Sequence, residues 1–282
     1  MTTPNELGAT FVKSGKVKDI YTLGDDILFH FTDRVSAFDV ILPSTIPKKG
    51  EVLCKFAEYW FKNLPFESHM IKTIGKDMML VKKLEMLPIE SIVRGYVYGS
   101  LWKRIKDGEI NIDITDPQLA QQLPAPLFDP TTKHEVHDVP ITQEEILKRN
   151  WMDNNQLEHI QDTSIQIYNI MVDKAKESGF MLADLKLEFG ILNNKIVIGD
   201  SIGPDEFRLW PSEKYVIGAS QESFDKQPIR DWLVDIKYKE KLDHADKNNL
   251  KNPPPPVIPP DLISEVTRRY IFAYEKLTGL KF

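Results

Sequence analysis

Three charged side chains alternate with apolar ones in a short stretch of the chain, "MLADLKLEFG" at residues 181–190. This period of two predicts a β-strand with Asp184, Lys186 and Glu188 on one face and a core-forming row of leucine and phenylalanine on the other. On pattern alone, such a charged face is typical of the solvated side of an antiparallel hairpin. The alternative is an active site in which the three charges act on a ligand.

A second strand, "KIVIGD" at 195–200, ends in a carboxylate that favours this alternative. If the turn uses residues 193–195 as its loop, Glu188 lies opposite Asp200 on the same face. Opposed carboxylates repel, so this register predicts a bound cation, and Mg²⁺ suits one or two carboxylates together with phosphate oxygens. Lys186 would point into the same space and could hold a phosphate, whereas a two-residue loop would separate the two carboxylates.

The stretch "VRGYVYGSLWKRIKDG" at 93–108 predicts a strand followed by a short helix. Ser100 stands where a helix cap belongs and Gly108 where the helix should end, so the amides of residues 99–102 are an expected anion site. Arg94, at the end of the strand, could add a bidentate clamp, and a phosphate-bearing substrate fits both features. The alternative is an ordinary helix cap beside a surface ion pair.

A third candidate is "SGKVKDIY" at 14–21, where Ser14 and Gly15 precede a strand with Lys16 and Lys18 on one face. This segment could cover nucleotide phosphates, although it lacks the full GxGxxG and GxxxxGK[ST] patterns. The alternative is a pair of lysines on an exposed strand face.

Two further features carry no catalytic prediction. The histidines of "HEVH" at 134–137 are three residues apart, but a loop setting and a single cysteine in the chain argue against a zinc site. That cysteine, Cys54, lies in an apolar helical pattern and is expected to be a buried small hydrophobe.

Periodic patterns and turn residues predict the elements that carry these candidates. They are a hairpin over 16–33 with its turn at 24–26, a helix over 49–63, strands over 69–74 and 77–87, a capping box at 142–145, a helix over 155–177 and a final helix over 261–277. Residues 118–140, rich in proline and short polar side chains, predict a long surface loop that could act as a lid. The proline run at 252–260 predicts an extended strap.

Composition sets the class of protein. The 282 residues are 41% hydrophobic and 28% charged, which is typical of a globular chain that buries a real core, and we expect two lobes around a cleft. A net charge of −6 argues against nucleic acid and against an anionic membrane as partners. One cysteine and no export leader or long apolar run predict a cytoplasmic protein.

Taken in order, seven stretches of the chain resemble the SAICAR synthetase family of purine biosynthesis, also called phosphoribosylaminoimidazole-succinocarboxamide synthases. They are "SGKVKDIY" (14–21), "DRVSAFD" (33–39), "LVKKLEMLPIESIVRGYVYGS" (80–100), "PLFDPTTK" (126–133), "LADLKLEFG" (182–190), "GDSIGPDEFRLW" (199–210) and "SFDKQPIRDWL" (223–233). The resemblance runs nearly end to end.

The resemblance implies an α+β fold of two lobes, in which an N-terminal antiparallel-sheet lobe lies over a larger α/β lobe, distantly similar to kinases and ATP-grasp enzymes. It implies an ATP-binding lobe at 1–88 and a substrate- and metal-binding lobe at 89–282. The implied activity is an ATP-dependent ligase that joins L-aspartate to carboxyaminoimidazole ribonucleotide, with ATP as co-substrate and Mg²⁺ as cofactor. Monomer and homo-oligomer are both left open.

The resemblance also assigns roles to individual residues. Glu188 and Asp200 would hold Mg²⁺, with Lys186 beside them as the third catalytic residue. The residues implied in ATP binding are Ser14, Gly15, Lys16, Lys18, Lys82, Glu85, Met86 and Leu87. The residues implied in substrate binding are Asp33, Ser36, Asp39, Arg94, Gly99, Ser100, Asp205, Arg208, Lys226, Gln227 and Arg230.

The sequence departs from the family pattern at two positions. Ser201 follows Asp200 where the family commonly has glutamate, which leaves open whether a third carboxylate acts near the metal. Leu185 stands where many members have threonine, on the side of the strand that should face the core. A kinase-like phosphotransferase would need a catalytic-loop signature such as HRDxxxxN, which is absent, and a regulatory protein without turnover would not need the retained Lys186, Glu188 and Asp200.

Overall fold

The computed structural model of the chain describes residues 2–133 and 139–282. The strands in these residues are β1 (Thr10–Ser14), β2 (Lys18–Leu23), β3 (Asp26–Phe31), β4 (Arg34–Ala37), β5 (Val40–Thr45), β6 (Met70–Ile74), β7 (Met78–Val81), β8 (Glu85–Met86), β9 (Ile89–Tyr96), β10 (Gln122–Phe128), β11 (Thr131–Thr132), β12 (Phe180–Leu192), β13 (Lys195–Gly199) and β14 (Phe207–Pro211). The helices are α1 (Lys49–Asn63), α2 (Gly99–Lys106), α3 (Gln143–Lys148), α4 (Asn154–Glu177), α5 (Gln227–Asp235), α6 (Tyr238–Lys247) and α7 (Pro260–Thr278). Over the described ranges, no helix has the length and apolar character needed to cross a membrane.

The N-terminal part of the chain forms a five-stranded antiparallel sheet in the order β1-β2-β3-β7-β6. The predicted hairpin is confirmed as β2 and β3, but its turn is one residue shorter than predicted: Leu23 pairs with Asp26, which leaves Gly24 and Asp25 as the turn. Gly24 has a φ of 62°, a conformation that glycine adopts without a side-chain penalty. The predicted helix α1 packs against β3 of this sheet and against α7.

Strand β12 is the centre of a larger antiparallel sheet whose order is β10-β9-β12-β13. It is 13 residues long, and β8 and β14 also pair with it, so four strands are hydrogen-bonded along its length. The charged face is buried, with Asp184 only 8% and Glu188 only 6% exposed. The solvated hairpin face is therefore excluded, because other parts of the chain cover the side that a hairpin alone would expose.

The turn between β12 and β13 differs from the predicted one. It contains two residues, Asn193 and Asn194, with φ values of 50° and 63°, and Leu192 pairs with Lys195. Asparagine tolerates this left-handed conformation, and a two-residue turn with two positive φ angles matches the twist of the flanking strands. The predicted pairing of Glu188 with the last residue of "KIVIGD" is therefore wrong by one position, since Glu188 pairs with Gly199.

Residues 118–140 are not a continuous surface loop as predicted, because β10 and β11 lie within them and pair with β9. Proline favours a loop in this stretch, but Pro124 and Pro126 lie where the register of β10 shifts, so neither must donate to the ladder. The "HEVH" segment at 134–137 lies outside the described residues.

The predicted helices over 49–63, 155–177 and 261–277 are confirmed as α1, α4 and α7. The capping box predicted at 142–145 is confirmed before α3, and a second one begins α4. Each cap satisfies backbone N–H groups that the first helical turn leaves unpaired.

Helix α2 begins one residue earlier than the predicted cap. Its first residue is Gly99, preceded by the extended Tyr98, so Ser100 lies inside the first turn and is not the N-cap. The hydroxyl of Ser100 accepts a hydrogen bond from Arg94 Nη2 at 2.9 Å. The glycine at 108, with a φ of 73°, follows the end of the helix as predicted.

One hydrophobic cluster underlies both sheets, and it includes Phe31 of β3, Phe56 of α1, Phe189 of β12 and Tyr270 of α7. Two antiparallel sheets and helices sharing one core are the predicted α+β fold. The backbone passes from the first sheet to the second before residue 88, because β8 already pairs with β12. The division into lobes at 1–88 and 89–282 stays a prediction.

The proline-rich strap is extended, as predicted, and contains no helix or strand between 251 and 259. Its Ile258 is buried, and the backbone N–H of Ile258 donates to Ser44 Oγ of β5 at 2.9 Å. The strap thereby leads the chain back to the N-terminal half, where α7 packs on α1.

A glycine in β9 lets α4 approach the central strands, and this close contact can be tested. A Cβ atom at Gly95 would lie 1.8 Å from Tyr168 Oη, the hydroxyl that donates to Leu182 O of β12 at 2.8 Å. We expect Gly95→Ala to lower the free energy of unfolding by about 1–3 kcal/mol, because the tyrosine must move out of a packed position. Urea unfolding followed by circular dichroism measures this change.

The matched control is Tyr168→Phe in the Gly95→Ala background. Because the phenylalanine lacks the atom that clashes, the double variant should recover part of the lost stability, although Tyr168→Phe alone should cost about 1 kcal/mol through its lost hydrogen bond. Equal unfolding midpoints for Gly95→Ala and the unaltered protein would contradict this account of the packing.

Candidate active site

A cavity of about 670 Å³ lies along the charged face of β12 and is bordered by β4, β9, α2, α5 and the segment between β13 and β14. Ten of the eleven residues predicted for substrate binding line it, together with Lys16 and Lys186. These predicted residues are Lys16, Ser36, Asp39, Arg94, Gly99, Ser100, Lys186, Asp205, Arg208, Lys226, Gln227 and Arg230. The eleventh, Asp33, lies outside the lining, and its carboxylate accepts backbone hydrogen bonds from Gly50 and Lys48 at the start of α1.

One end of the cavity carries two arginines held by carboxylates. Arg94 Nε donates to Asp129 Oδ2 at 2.5 Å, and Arg208 forms an ion pair with Asp184. Arg208 Nε is buried and has no hydrogen-bond partner within the described ranges, so one charged donor remains for a ligand. Burial alone would lower the pKa of Arg208, but Asp184 and other neighbouring charges raise it, so the guanidinium stays charged.

Gly99 brings the first turn of α2 close to these arginines. It has a φ of 59°, and a Cβ atom there would lie 2.9 Å from Arg208 Nη2. A side chain at this position would therefore be strained and would displace the guanidinium. The helix N-terminus, Arg94 and Arg208 together can bind an anion such as a phosphate.

The other charged cluster contains the predicted catalytic residues, and each of them already has a partner. Lys186 Nζ lies 2.8 Å from Glu90 Oε1, Glu188 forms an ion pair with Lys133, and Asp200 forms one with Lys18. Buried charges are stable only when paired in this way. The cluster therefore combines carboxylates and ammonium groups from five places in the chain: β2, β9, the residue after β11, β12 and the residue after β13.

Glu188 and Asp200 interact although the predicted register is wrong. Burial raises the pKa of Glu188, and the negative charge of Asp200 raises it further. Burial would also raise the pKa of Asp200, but the ammonium groups of Lys18 and Lys133 outweigh burial and lower it to about 2. Asp200 directly follows Gly199, the last paired residue of β13. Its φ of 54° is not a strand conformation, so the backbone changes direction at the residue that interacts with Glu188.

The residues present fit a magnesium ion. The buried carboxylate of Glu188 and the half-buried carboxylate of Asp200 each face a lysine ammonium, so this donor set binds positive charge. Among residues 2–133 and 139–282 there is no cluster of three or more histidine, cysteine, aspartate or glutamate side chains arranged for a metal. Mg²⁺ does not need such a cage, because it retains water and takes further ligands from nucleotide phosphates.

Asp205 lies at the centre of a buried network that the sequence did not predict. Its carboxylate accepts from Lys49 Nζ at 2.6 Å and from the Tyr270 hydroxyl at 3.0 Å, and Lys226 Nζ lies 3.7 Å away. Burial alone would raise the pKa of Asp205, but Lys226 and Lys49 lower it below its ordinary range. Asp205 is thereby held ionised, and residues of α1 and α7 meet the residue that precedes α5 at one carboxylate.

The segment predicted to bind adenine lies next to the strand ends that carry Glu188 and Asp200, the carboxylates predicted to hold Mg²⁺, and it lies outside the cavity lining. Leu87 N donates to Phe189 O at 2.9 Å, and a Cβ atom at Gly199 would lie 3.2 Å from the Met86 side chain. Glu85 is part of β8, and Lys82 forms an ion pair with Asp26 at 3.0 Å. This segment therefore contacts Gly199, the residue that precedes Asp200.

The glycine-containing hairpin of the first sheet is close to the same cluster. Gly15 N donates to Lys18 O at 2.8 Å, and Lys16 forms an ion pair with Asp39 across the cavity edge. Ser14 ends β1 and is exposed. Of the two lysines, Lys18 is buried and pairs with Asp200, so the interpretation as a solvated surface lysine does not hold for it. Lys16 is exposed at the edge of the cavity, where it pairs with Asp39.

Several residues of the site were not predicted. Asp129 and Lys133 lie in the quoted segment "PLFDPTTK", and Glu206 lies in "GDSIGPDEFRLW", so a local signal was present for these three. Lys49 and Tyr270 lie in amphipathic helices, where nothing in the local pattern marks them as partners of Asp205. Cys54 is buried, as predicted, and burial raises the pKa of its thiol.

Comparison with known proteins identifies the family. Residues 11–245 match the family described as SAICAR synthetase. The chain belongs to the SAICAR synthetase family. The fold class and the family predicted from the sequence are thereby confirmed.

Members of this family with known names resemble the chain over nearly its whole length. The phosphoribosylaminoimidazole-succinocarboxamide synthase of Nitrosopumilus maritimus is 51% identical over 271 residues, which cover 95% of this chain and 98% of that protein. The enzyme of the same name from Schizosaccharomyces pombe is 38% identical, with 98% and 97% covered.

Solved structures agree with this assignment. The SAICAR synthase of Saccharomyces cerevisiae, complexed with SAICAR, superposes with a TM-score of 0.82 at 32% identity and covers 100% of this chain and 98% of that one. A SAICAR synthetase in complex with ADP superposes with a TM-score of 0.73 at 27% identity, with 96% and 99% covered.

The two departures from the family pattern have different surroundings. Ser201 Oγ accepts from Lys18 Nζ at 2.9 Å, so the hydroxyl binds the lysine that also pairs with Asp200. Leu185 is fully buried on the core side of β12, as predicted.

The network at Asp205 predicts a pH-dependent contribution to stability. Asp205→Asn should lower the free energy of unfolding by about 3 kcal/mol near neutral pH, because the buried Lys49 loses its counter-charge. The folded pKa of Asp205 lies below its ordinary value, so its stabilisation is present above that value and is lost as the pH falls through the lowered pKa. The difference between the variant and the unaltered protein should therefore shrink between about pH 4 and pH 2, as measured by urea unfolding at each pH.

Asp243→Asn is the matched control, because Asp243 pairs with Lys239 on the exposed side of α6. Its effect should stay within about 0.5 kcal/mol at all pH values. An Asp205→Asn protein as stable as the unaltered one near neutral pH, or a difference that grows in acid, would contradict the assigned network.

Proposed function

We propose that this protein joins L-aspartate to the carboxylate of carboxyaminoimidazole ribonucleotide at the expense of ATP, giving SAICAR, ADP and phosphate. The observation that carries the proposal is one cavity that runs from the arginine-lined anion end to Lys186 and Glu90, the pair through which the lysine and carboxylate cluster lines it. Membership of the SAICAR synthetase family, and relatives solved with SAICAR and with ADP, support the same reaction.

The reaction requires an activated carboxylate, because the oxygen of a free carboxylate is a poor leaving group and its charge repels a nucleophile. A carboxylate oxygen attacks the γ-phosphorus of ATP, the bond to ADP breaks, and an acyl phosphate forms. The amine of aspartate then attacks the carbonyl carbon, phosphate leaves, and the nitrogen loses its extra proton. Both steps bring anions together, so the protein must position them and neutralise charge.

The anion end of the cavity would bind the 5′-phosphate of the ribonucleotide. Arg94 and Arg208 supply guanidinium groups, and the first turn of α2 supplies backbone N–H groups beside Ser100. Binding a phosphate remote from the reacting carboxylate provides free energy that aligns the carboxylate with ATP. The polar side chains Ser36, Asp39, Lys226, Gln227 and Arg230 would contact the rest of this substrate.

The lysine and carboxylate cluster would be the reacting centre. Lys186 and Lys18 place ammonium groups where the transferred phosphoryl group would gather charge, and Glu188 and Asp200 would hold Mg²⁺. When bound there, the ion would neutralise the charge of the triphosphate. Residues 14–18 and 82–87 would bind ATP, with lobes at 1–88 and 89–282 for the nucleotide and for the other substrates.

Two further parts of the proposal concern Asp33 and the location of the enzyme. Asp33, which the family resemblance implies in substrate binding, would act on the substrate pocket only through the start of α1. A cytoplasmic location is inferred from the single buried cysteine, which is typical of reducing compartments.

Release of ADP in a coupled assay, with each substrate omitted in turn, tests the proposed reaction. We expect ADP release that depends strictly on both aspartate and the ribonucleotide, because neither half of the reaction reaches product alone. SAICAR formation, followed by mass spectrometry, should match ADP release one to one. ADP release that continues without the ribonucleotide would contradict the proposal.

Glu188→Gln and Asp200→Asn test the proposed magnesium pair. Each should lower kcat on the order of 100-fold and weaken the dependence of the rate on Mg²⁺ concentration, because a neutral amide binds the ion poorly. The matched control is Glu177→Gln at the exposed end of α4, which should leave both quantities unchanged. Turnover near that of the unaltered protein in both variants would rule out the pair.

A further inference from the structure

Glu206 is a buried carboxyl group in the cavity that the mechanism above does not use. Its side chain lines the cavity, and its Oε2 atom is shielded from solvent without a hydrogen-bond partner in the described residues. The backbone fixes its place, because Glu206 N donates to Gly203 O at 2.9 Å and Lys186 N donates to Glu206 O at 2.7 Å. A carboxylate with an unpaired buried oxygen is costly, so the position needs either a neutral form or a ligand.

The surroundings of Glu206 favour the neutral form. Burial raises its pKa, the charge of Asp205 raises it further, and Asp200 acts in the same direction. Lys18 and Lys186 oppose this effect, but they form ion pairs with Asp200 and Glu90. The resulting pKa is about 8, so the group carries its proton at neutral pH.

Glu206 interacts electrostatically with both parts of the proposed site. In the substrate pocket it interacts with Asp205, which pairs with Lys226 and Lys49. In the reacting centre it interacts with Lys18 and Asp200, which pair with each other. The carboxylate of the ribonucleotide must lie between these parts, since the substrate extends from the anion end to the phosphoryl donor.

We propose that Glu206 acts as a neutral carboxylic acid that donates a hydrogen bond to the carboxylate of the bound ribonucleotide, the group that the reaction phosphorylates. This role rests on the proposed function. Glu206 Oε2 has no hydrogen-bond partner in the described residues, and the Glu206 side chain lines the cavity, so a ligand in the cavity would supply the acceptor for its proton. An O–H to carboxylate hydrogen bond is short and strong, and a neutral donor adds no repulsion in a site crowded with anions.

Glu206→Gln and Glu206→Ala separate this role from others, with Glu213→Gln, an exposed glutamate after β14, as the matched control. Binding of the ribonucleotide without ATP is measured by titration calorimetry near pH 7 and near pH 9. Glutamine keeps a neutral donor, so Glu206→Gln should bind within about threefold of the unaltered protein near neutral pH, whereas Glu206→Ala should bind about tenfold more weakly.

The pH dependence gives a second readout that a purely structural role would not change. Near pH 9, about one unit above the pKa of Glu206, the unaltered protein must take up a proton to bind, so its affinity should fall about tenfold. Glu206→Gln should lack this fall, and its binding heat should not depend on the ionisation enthalpy of the buffer beyond what the substrate itself contributes. Thermal unfolding of each variant checks that the fold is intact.

Each contrary outcome has a defined meaning. Tight binding by Glu206→Ala, or the same alkaline fall in Glu206→Gln and the unaltered protein, would overturn the proposed hydrogen bond. A Glu206→Gln enzyme that binds normally but loses more than about 100-fold in kcat would also overturn it and indicate a general base. If the unaltered protein and Glu213→Gln do not bind the ribonucleotide at all, the proposed function fails together with this role.

Discussion

The charged face of β12 can be buried only because each charge on it meets an opposite charge from another element. Asp184 is paired with Arg208, Lys186 with Glu90, and Glu188 with Lys133. Without these partners, three charges on one side of a central strand would each lose their hydration with nothing to replace it. With them, the strand presents a row of fixed charges to a cavity, and that row is what a reaction between anions needs.

The same requirement explains why the site draws on distant parts of the chain. Asp205 is neutralised by Lys49 of α1 and by Lys226 beside α5, and the Tyr270 hydroxyl of α7 completes its hydrogen bonds. The extended strap contributes here, because it returns the chain so that α7 can pack on α1. A buried network of this kind holds the substrate pocket in one arrangement before any ligand enters, and that lowers the cost of ordering it later.

The sheet geometry sets the distance between the two working parts of the cavity. β12 carries Asp184 beside the arginines and Glu188 in the lysine and carboxylate cluster, and the intervening Lys186 lines the cavity. A single strand therefore fixes the separation of the anion end from the reacting centre, because its length per residue is nearly constant. The segment from Asp200 to Arg208 also connects the reacting centre to the anion end, and its Asp205 and Glu206 line the same cavity.

Patterns within one element were sufficient for much of the fold, because hydrophobic periodicity and turn chemistry are local properties. The alternation at 181–190 predicted the strand and its charged face, and the spacing of apolar residues predicted α1, α4 and α7. The family resemblance predicted which side chains line the cavity, and ten of the eleven substrate-binding residues do so. Asp33 does not, because its carboxylate is used by the backbone of α1.

What the amino-acid sequence determined by itself was therefore the elements, the chemical character of β12 and the identity of the family. Only the tertiary structure decided which charges meet. The turn at Asn193 and Asn194 moved the register by one residue, and the strands within 118–140 were hidden by prolines that lie at a shift in the ladder. Lys49, Tyr270 and Glu206 acquire their roles from contacts between segments far apart in the chain, and the burial that sets the pKa of a carboxyl group exists only after those segments have packed.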